Sequence, residues 1–210
     1  MTSSDFADRH LYLCTPSRDD LARFVAACIE GGVDIVQLRD KELDAKGLLR
    51  AARQCKEVCD DFGVPFIMND RPDLALEIGA SGVHVGQDDA PVSLCRRILG
   101  ADSIIGLSTH EEAELALALG QAVSYLSAGP VEETPTKPGR PGTGVEYAAR
   151  AARTSEHPVF VTGGVTPESI PTLAEHGISH FVVVRNLTES SNPRESAKAL
   201  SEAIRRGLDR

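Results

Sequence analysis

Short apolar runs recur along the whole chain and are separated by segments with helical spacing. The runs are Leu11–Cys14, Ile35–Leu38, Phe66–Met68, Val83–Val85, Ile104–Leu107, Tyr125–Leu126, Val159–Val161 and Phe181–Val184. Runs of this length and composition favour strands that are buried on both faces. Between them, apolar residues recur at intervals of three and four, as at Leu21, Phe24, Val25 and Cys28. This spacing is typical of helices that bury one face, so the pattern predicts alternating strands and helices.

Strict alternation of strand and helix implies a parallel sheet with right-handed crossovers. Eight such units predict an α/β fold, namely a single (β/α)8 TIM barrel domain over residues 1–210. An open doubly wound sheet is the alternative. Residues suited to cap the N-termini of the following helices are Ser17, Thr109, Thr166 and Asn192. The stretch 129–144 is long, irregular and rich in Pro and Gly, which is typical of a functional loop or lid.

Composition and charge narrow the possible partners. The 210 residues include 22 Lys+Arg and 31 Asp+Glu, a formal net charge of −9, which disfavours non-specific binding to nucleic acid or an anionic membrane. No apolar run approaches the roughly 20 residues that span a bilayer, and Met1–Asp5 has no signal-peptide character. Five scattered cysteines predict buried reduced thiols. We therefore expect a cytoplasmic protein with small-molecule partners, no nucleic acid and no membrane, and a homo-oligomer is possible.

Polar side chains follow the predicted strands at the end where a barrel builds its active site. Arg39 and Lys41 alternate with Asp40, so an extended chain would place both cations on one side, a pair suited to a diphosphate. Asp70 and Asp89 follow neighbouring strands, and two such carboxylates could hold Mg²⁺. A salt-bridged barrel rim and helix caps are the alternatives.

A second group of residues predicts a separate site for a phosphate monoester. Gly163 and Gly164 form a glycine turn before a helix, and Arg185 ends the eighth run; barrels often bind phosphate between these two loops. The long loop adds a cation and two hydroxyls, at Lys137, Thr134 and Thr136. A loop with these groups could close over bound anions and exclude water. Two anion sites suit an enzyme that joins two phosphorylated substrates.

Three further polar residues receive structural interpretations. His84 lies within an apolar run and is predicted to be a packed core residue, and His110 is predicted to cap or pack. Ser108 has no sequence neighbour that would activate it as a nucleophile. No lysine lies within the eight apolar runs, which argues against a Schiff-base aldolase.

Five segments, taken in order, resemble the thiamine-phosphate synthase (thiamine-phosphate pyrophosphorylase) family. They are Gln37–Lys41, Asn69–Asp70, Gly82–Asp89, Gly106–His110 and Thr134–Lys137. The resemblance extends over almost the whole chain, from Leu11 to Arg185. It implies an Mg²⁺-dependent transferase that couples hydroxymethylpyrimidine diphosphate to thiazole (or carboxythiazole) phosphate and releases pyrophosphate.

The resemblance also implies roles for individual residues. Those that would bind the pyrimidine diphosphate are Gln37, Arg39, Lys41, Asn69, Ser108 and Lys137. The catalytic residues among them would be Arg39, Lys41, Ser108 and Lys137. Asp70 and Asp89 would bind Mg²⁺. Those that would bind the thiazole phosphate are Thr134, Thr136, Gly164, Val184 and Arg185.

The chain departs from the family pattern just before Thr134. The family usually has an aromatic residue and a proline there, whereas this chain has Glu132 and Glu133. Two carboxylates near anionic substrates are unfavourable unless they point outward. Larger residues also stand around the eighth run, at His180, Phe181 and Asn186. The alternatives are a thiazole tautomerase-like isomerase, which needs no diphosphate site, and a non-catalytic regulator that binds thiamine precursors.

Overall fold

The computed structural model describes Phe6 and residues 8–134 and 141–209. Within them, eight parallel strands pair in sequence order and close into a barrel, because β8 also pairs with β1. The strands are β1 (Leu11–Thr15), β2 (Ile35–Leu38), β3 (Phe66–Asn69), β4 (Gly82–Val85), β5 (Ile104–Thr109), β6 (Tyr125–Ala128), β7 (Val159–Val161) and β8 (His180–Val183). The predicted (β/α)8 fold is confirmed, and the open sheet is excluded.

Helices follow the strands and surround the barrel. They are α1 (Leu21–Glu30), α2 (Ala45–Phe62), α3 (Pro72–Ile78), α4 (Val92–Leu99), α5 (Glu112–Ala118), α6 (Val145–Thr154), α7 (Ile170–Glu175), α8 (Arg185–Thr188) and α9 (Pro193–Leu208). The short α8, directly after β8, is not predicted by the periodicity. Among the described residues, none of the helices combines the length and apolar character that crossing a bilayer requires.

The predicted helix caps are correct in part. Asn192 caps α9, since its side chain accepts a hydrogen bond from the Glu195 backbone N–H. Ser17 and Thr109 do not cap helices. The Ser17 backbone N–H donates instead to Asp40 Oδ2 at 3.1 Å, which ties the first loop to the end of β2, and Thr109 is the last residue of β5. Thr166 lies in a turn ahead of α7, where its Oγ1 accepts from the Ser169 N–H at 3.2 Å.

Apolar side chains form two separate cores. The larger lies between the barrel and the helices, and the smaller lies inside the barrel. The inner core consists of Phe6, Tyr12, Ile35, Ile67, Ile104, Tyr125 and Phe160. Several of these are the first or second residues of their strands, so they fill the N-terminal end of the barrel. All five cysteines are buried thiols, as predicted.

Phe6 closes the floor of the barrel. Its side chain is fully buried, and its ring stacks on Tyr125 with centroids 5.2 Å apart and an interplanar angle of 10°. It also meets the edge of Phe160 at 6.1 Å. A residue ahead of the first strand therefore belongs to the innermost layer of the fold.

We expect Phe6→Ala to lower the free energy of unfolding by about 3–5 kcal/mol, because it leaves a cavity that a closed barrel cannot collapse to fill. Phe62→Ala is the matched control, since Phe62 is 46% exposed and its truncation should change stability by no more than about 0.5 kcal/mol. Urea denaturation of both variants measures the difference. Equal losses would contradict the assignment of Phe6 to the core.

Candidate active site

The barrel interior changes character along each strand. Residues two positions apart on a strand point to the same face, so the side chain that follows Tyr12 is Cys14, and the one that follows Tyr125 is Ser127. The same step leads from the floor residues of β2, β3 and β7 to Gln37, Asn69 and Thr162. The polar residues of β4 and β5 that also line the cavity are His84 and Ser108. The floor is therefore apolar, and the layer above it is polar.

A cavity of about 600 Å³ opens above this polar layer at the C-terminal ends of the strands. Its lining includes most of the residues predicted from the sequence: Gln37, Arg39, Lys41, Asn69, Asp70, Asp89, Ser108, Thr134, Gly164, Val184 and Arg185. Thr136 and Lys137 lie outside the described residues. Positions far apart in the sequence thus meet in one cavity, while their individual roles stay predictions.

Asp70 occupies a constrained position beside the second carboxylate, Asp89. Its φ of 61° is in the left-handed region, which few residues other than Gly adopt. The Asp70 N–H donates to the His84 carbonyl at 2.8 Å, and Lys41 Nζ lies 3.3 Å from Asp70 Oδ2. Asp89 is held by the Gly86 N–H, which donates to its Oδ2 at 2.8 Å.

The carboxylates of Asp70 and Asp89 have like charge and repel each other. Burial raises the pKa of Asp70 above its ordinary value, the nearby Asp89 carboxylate raises it further, and Lys41 acts in the opposite direction. Among the described residues, no group of three or more His, Cys, Asp or Glu side chains could hold a metal ion. The residues present therefore offer two hard oxygen ligands, which fits Mg²⁺ because that ion usually keeps several waters and binds substrate phosphates as well.

We expect Asp70→Asn to stabilise the protein at pH 7 while removing a candidate metal ligand. Because the folded-state pKa is raised, Asp70 favours folding below its ordinary value of 3.8, and this contribution is lost as the pH rises through the folded-state value. Because the carboxylate is partly screened by solvent, the gain at pH 7 should stay below about 1 kcal/mol, or below about 4 °C in Tm.

Thermal unfolding at several pH values measures this effect, and the gain should shrink as the pH falls and Asp70 becomes neutral. Asp73→Asn is the matched control, because the Arg71 guanidinium holds the pKa of Asp73 below its ordinary value and neutralisation should bring no gain. A lower Tm for Asp70→Asn at pH 7 would show that the Lys41 contact outweighs the repulsion from Asp89.

The glycine turn after β7 is sterically required. Gly163 and Gly164 have φ values of 88° and 74°, in the region that favours glycine. A Cβ on Gly163 would lie 2.5 Å from the Pro130 Cβ. The start of the long loop is thus packed on the turn, and the Val131 N–H anchors it by donating to the Thr162 carbonyl at 2.7 Å.

Glu132 lies at the predicted phosphate site. Its side chain is exposed, yet a Cβ on Gly164 would lie only 2.5 Å from Glu132 Oε2. The carboxylate is therefore folded over the glycine turn and does not point away from it. An anionic group of this chain occupies the space beside the backbone where a substrate phosphate is predicted.

The structure adds cavity residues that the sequence interpretation left in the core. His84 is buried, as predicted, but it also lines the cavity, and its Nε2 lies 2.8 Å from Ser108 Oγ. Tyr12 and Tyr125 lie just below the cavity and contribute to its lining. Strand spacing is one signal that could have found these residues. Tyr12 and Tyr125 each lie two positions before a residue of the polar layer, and His84 belongs to that layer. His110 also lines the cavity, and its Nδ1 lies 2.9 Å from Glu114 Oε2.

The fold and the cavity define the class of protein, a (β/α)8 barrel enzyme whose polar residues gather at the C-terminal ends of the strands. The sequence matches the family described as thiamine monophosphate synthase over residues 11–187. The chain belongs to this family, as the five segments predicted. It is a transferase-type enzyme of thiamine biosynthesis.

Individual relatives agree with the family match. A thiamine-phosphate synthase of Thermobifida fusca is 44% identical over 200 residues, which cover 92% of this chain and 91% of the relative. One from Nostoc punctiforme is 40% identical over 183 residues, which cover 87% of this chain, and the chain spans about half (52%) of that longer relative. A solved thiamine phosphate pyrophosphorylase from Pyrococcus furiosus has a TM-score of 0.85 at 24% identity, covers 95% of this chain and 96% of its own, and supports the fold alone.

Proposed function

We propose that the cavity couples hydroxymethylpyrimidine diphosphate to thiazole (or carboxythiazole) phosphate. The observation that carries this proposal is that one cavity contains two separate groups of residues suited to bind anions. One contains Arg39 and Lys41 beside the carboxylate pair, and the other contains the Gly163–Gly164 turn and Arg185. Two phosphorylated substrates bound at these surfaces would meet in the space between them.

The hydrogen bonds of Asp40 support the diphosphate surface. Asp40 Oδ2 accepts from the Ser17 N–H at 3.1 Å, and Oδ1 accepts from the backbone N–H groups of Glu42 and Leu43 at 3.0 and 3.2 Å. The Asp40 side chain therefore stabilises the loop to which it belongs, while its neighbours Arg39 and Lys41 line the cavity. Guanidinium and ammonium groups on one wall suit the oxygens of a diphosphate.

Asp70 and Asp89 are the residues that would hold Mg²⁺. When bound, the ion supplies positive charge to the departing diphosphate. Lys41 Nζ lies 3.3 Å from Asp70 Oδ2, so its positive charge would lie beside the same diphosphate.

The proposed reaction breaks the C–O bond between the pyrimidine methylene carbon and the diphosphate, and the electron pair leaves with pyrophosphate. The thiazole nitrogen then donates its lone pair to the resulting pyrimidinylmethyl cation and forms the C–N bond. Arg39, Lys41 and the predicted Lys137 would stabilise the charge that grows on the leaving group. No protein nucleophile takes part in this reaction, because the thiazole nitrogen itself attacks the cation.

The remaining predicted residues would position the substrates. Gln37, Asn69 and Ser108 would bind the pyrimidine diphosphate, and Thr134, Thr136, Gly164, Val184 and Arg185 would bind the thiazole phosphate. Closure of the loop that carries Lys137 would protect the cation from water. The cytoplasmic location, the lack of nucleic-acid partners and a possible homo-oligomer stay predictions.

A coupling assay tests the proposal. We expect purified protein, both substrates and Mg²⁺ to yield thiamine phosphate, and EDTA to abolish product formation. Binding of both substrates without product would favour the regulator, and a change in the thiazole alone would favour the tautomerase-like isomerase.

In the same assay, Arg39→Ala should raise the KM for the diphosphate by roughly 10- to 100-fold, because a hydrogen bond to a charged group is worth about 1.5–3 kcal/mol. The KM for the thiazole phosphate should stay nearly constant. Arg53→Ala removes the same charge from an exposed position on α2 and serves as the control. Equal increases in both KM values would contradict the two-surface arrangement.

Glu132 generates a further prediction for the thiazole phosphate. A carboxylate about 4 Å from a phosphate costs about 1 kcal/mol in water, so Glu132→Gln should lower that KM roughly fivefold. Glu133→Gln makes the same charge change at the next residue, which is also exposed, and should have a smaller effect. If both variants keep the original KM, the Glu132 side chain leaves the glycine turn without cost when substrate binds.

A further inference from the structure

A chain of hydrogen bonds crosses the barrel interior beneath the cavity. Gln37 Nε2 donates to the Tyr12 hydroxyl at 2.7 Å, and that hydroxyl lies 2.8 Å from the hydroxyl of Tyr125. Tyr125 lies 2.9 Å from His84 Nδ1, and His84 Nε2 lies 2.8 Å from Ser108 Oγ. All five residues are at least nine-tenths buried, so the chain links β2, β1, β6, β4 and β5 in a single polar path.

The proton inventory gives this path one direction. Each tyrosine hydroxyl has one proton, and a neutral imidazole has one protonated nitrogen. Because Gln37 donates to Tyr12, the Tyr12 proton is directed to Tyr125 and the Tyr125 proton to His84 Nδ1. His84 then carries its proton on Nε2 and donates it to Ser108.

Cys14 determines the orientation of the Gln37 amide, where the path begins. Its Sγ donates to Gln37 Oε1 at 3.4 Å, which places the amide oxygen toward Cys14 and the amide nitrogen toward Tyr12. A thiol is a weak donor, but the amide of Gln37 has a distinct partner on each side. The orientation of one amide group therefore determines the direction of every later hydrogen bond.

The ring positions along the path are sterically fixed. Tyr125 stacks on His84 with centroids 5.5 Å apart and on Phe6 at 5.2 Å. A Cβ on Gly106 would lie 2.1 Å from Tyr125 Cζ and 2.5 Å from His84 Nδ1. The glycine in β5 provides the space that the two rings occupy, and Phe6 supports them from below.

We propose that this path orients the Ser108 hydroxyl so that it always donates a hydrogen bond into the cavity. The Ser108 oxygen accepts from His84, and among the described residues no other side chain is bonded to that hydroxyl. Its proton is therefore left for the bound substrate, which is the pyrimidine diphosphate if the proposed function is correct. His84, Tyr125 and Tyr12 are positioning residues, and no proton travels along the path. A donor that is oriented before binding needs no reorganisation during the reaction.

The His84 tautomer tests the direction without any activity measurement. In ¹⁵N NMR spectra of the histidine-labelled protein, we expect His84 to be protonated on Nε2 and to accept at Nδ1. In Tyr125→Phe, which removes the donor to Nδ1, a mixture of tautomers should appear. Protonation of Nδ1 in the wild-type protein would overturn the proposal, whatever the outcome of the coupling assay.

Kinetics test the consequence for Ser108. Tyr125→Phe should lower kcat about tenfold, because Ser108 loses its fixed orientation, and should leave the KM for the thiazole phosphate unchanged. In a Ser108→Ala background, Tyr125→Phe should have no further effect on kcat, since the group it orients is gone. Additive losses in the double variant would assign Tyr125 a general structural role and overturn the proposal.

Tyr147→Phe is the matched control. The Tyr147 hydroxyl donates to the Glu111 carbonyl at 3.3 Å, on the helix side of the barrel. Its loss should preserve both the His84 tautomer and kcat. If Tyr125→Phe does not fold, Tyr12→Phe replaces it, because it breaks the same path one residue earlier and should also release the tautomer. An unchanged tautomer in folded Tyr12→Phe would contradict the fixed direction.

Discussion

Closure of the sheet is the constraint on which the rest of this structure depends. Pairing of β8 with β1 leaves no strand edge, and it encloses an interior that side chains must fill completely. Near the N-terminal end, aromatic and aliphatic side chains fill it. Toward the C-terminal ends of the strands, polar side chains replace the apolar ones. Above them the interior is open, and this cavity contains the candidate site. Floor, polar layer and cavity are thus successive levels of one closed space.

The same closure holds unfavourable arrangements in place. Asp70 has a left-handed backbone conformation, and its carboxylate is opposed by burial and by Asp89. An open loop would relax both features, but here the backbone of Asp70 is bonded to the neighbouring strand at His84. The stability of the closed barrel therefore offsets the cost of these strained arrangements at the candidate site.

The sequence predicts the fold well because apolar runs and helical spacing alternate without interruption. It predicts which residues line the cavity by a different route, since residues such as Arg39 and Asp89 come within a few positions after these runs. It does not predict the path from Tyr12 through Tyr125 to His84, because partners on different strands become neighbours only after closure. The incorrect helix-cap predictions for Ser17 and Thr109 have the same cause. Ser17 is bonded to Asp40 at the end of β2, and Thr109 is the last residue of β5, and neither fact is contained in the local sequence.

The position of Phe6 has a consequence for how the chain matures during synthesis. Phe6 precedes β1 and leaves the ribosome well before its partners Tyr125 and Phe160, which belong to β6 and β7. The innermost layer therefore cannot assemble until most of the chain has been translated. Until then the aromatic side chain of Phe6 remains exposed in the nascent chain. A nascent barrel of this kind depends on rapid closure or on chaperones to avoid aggregation.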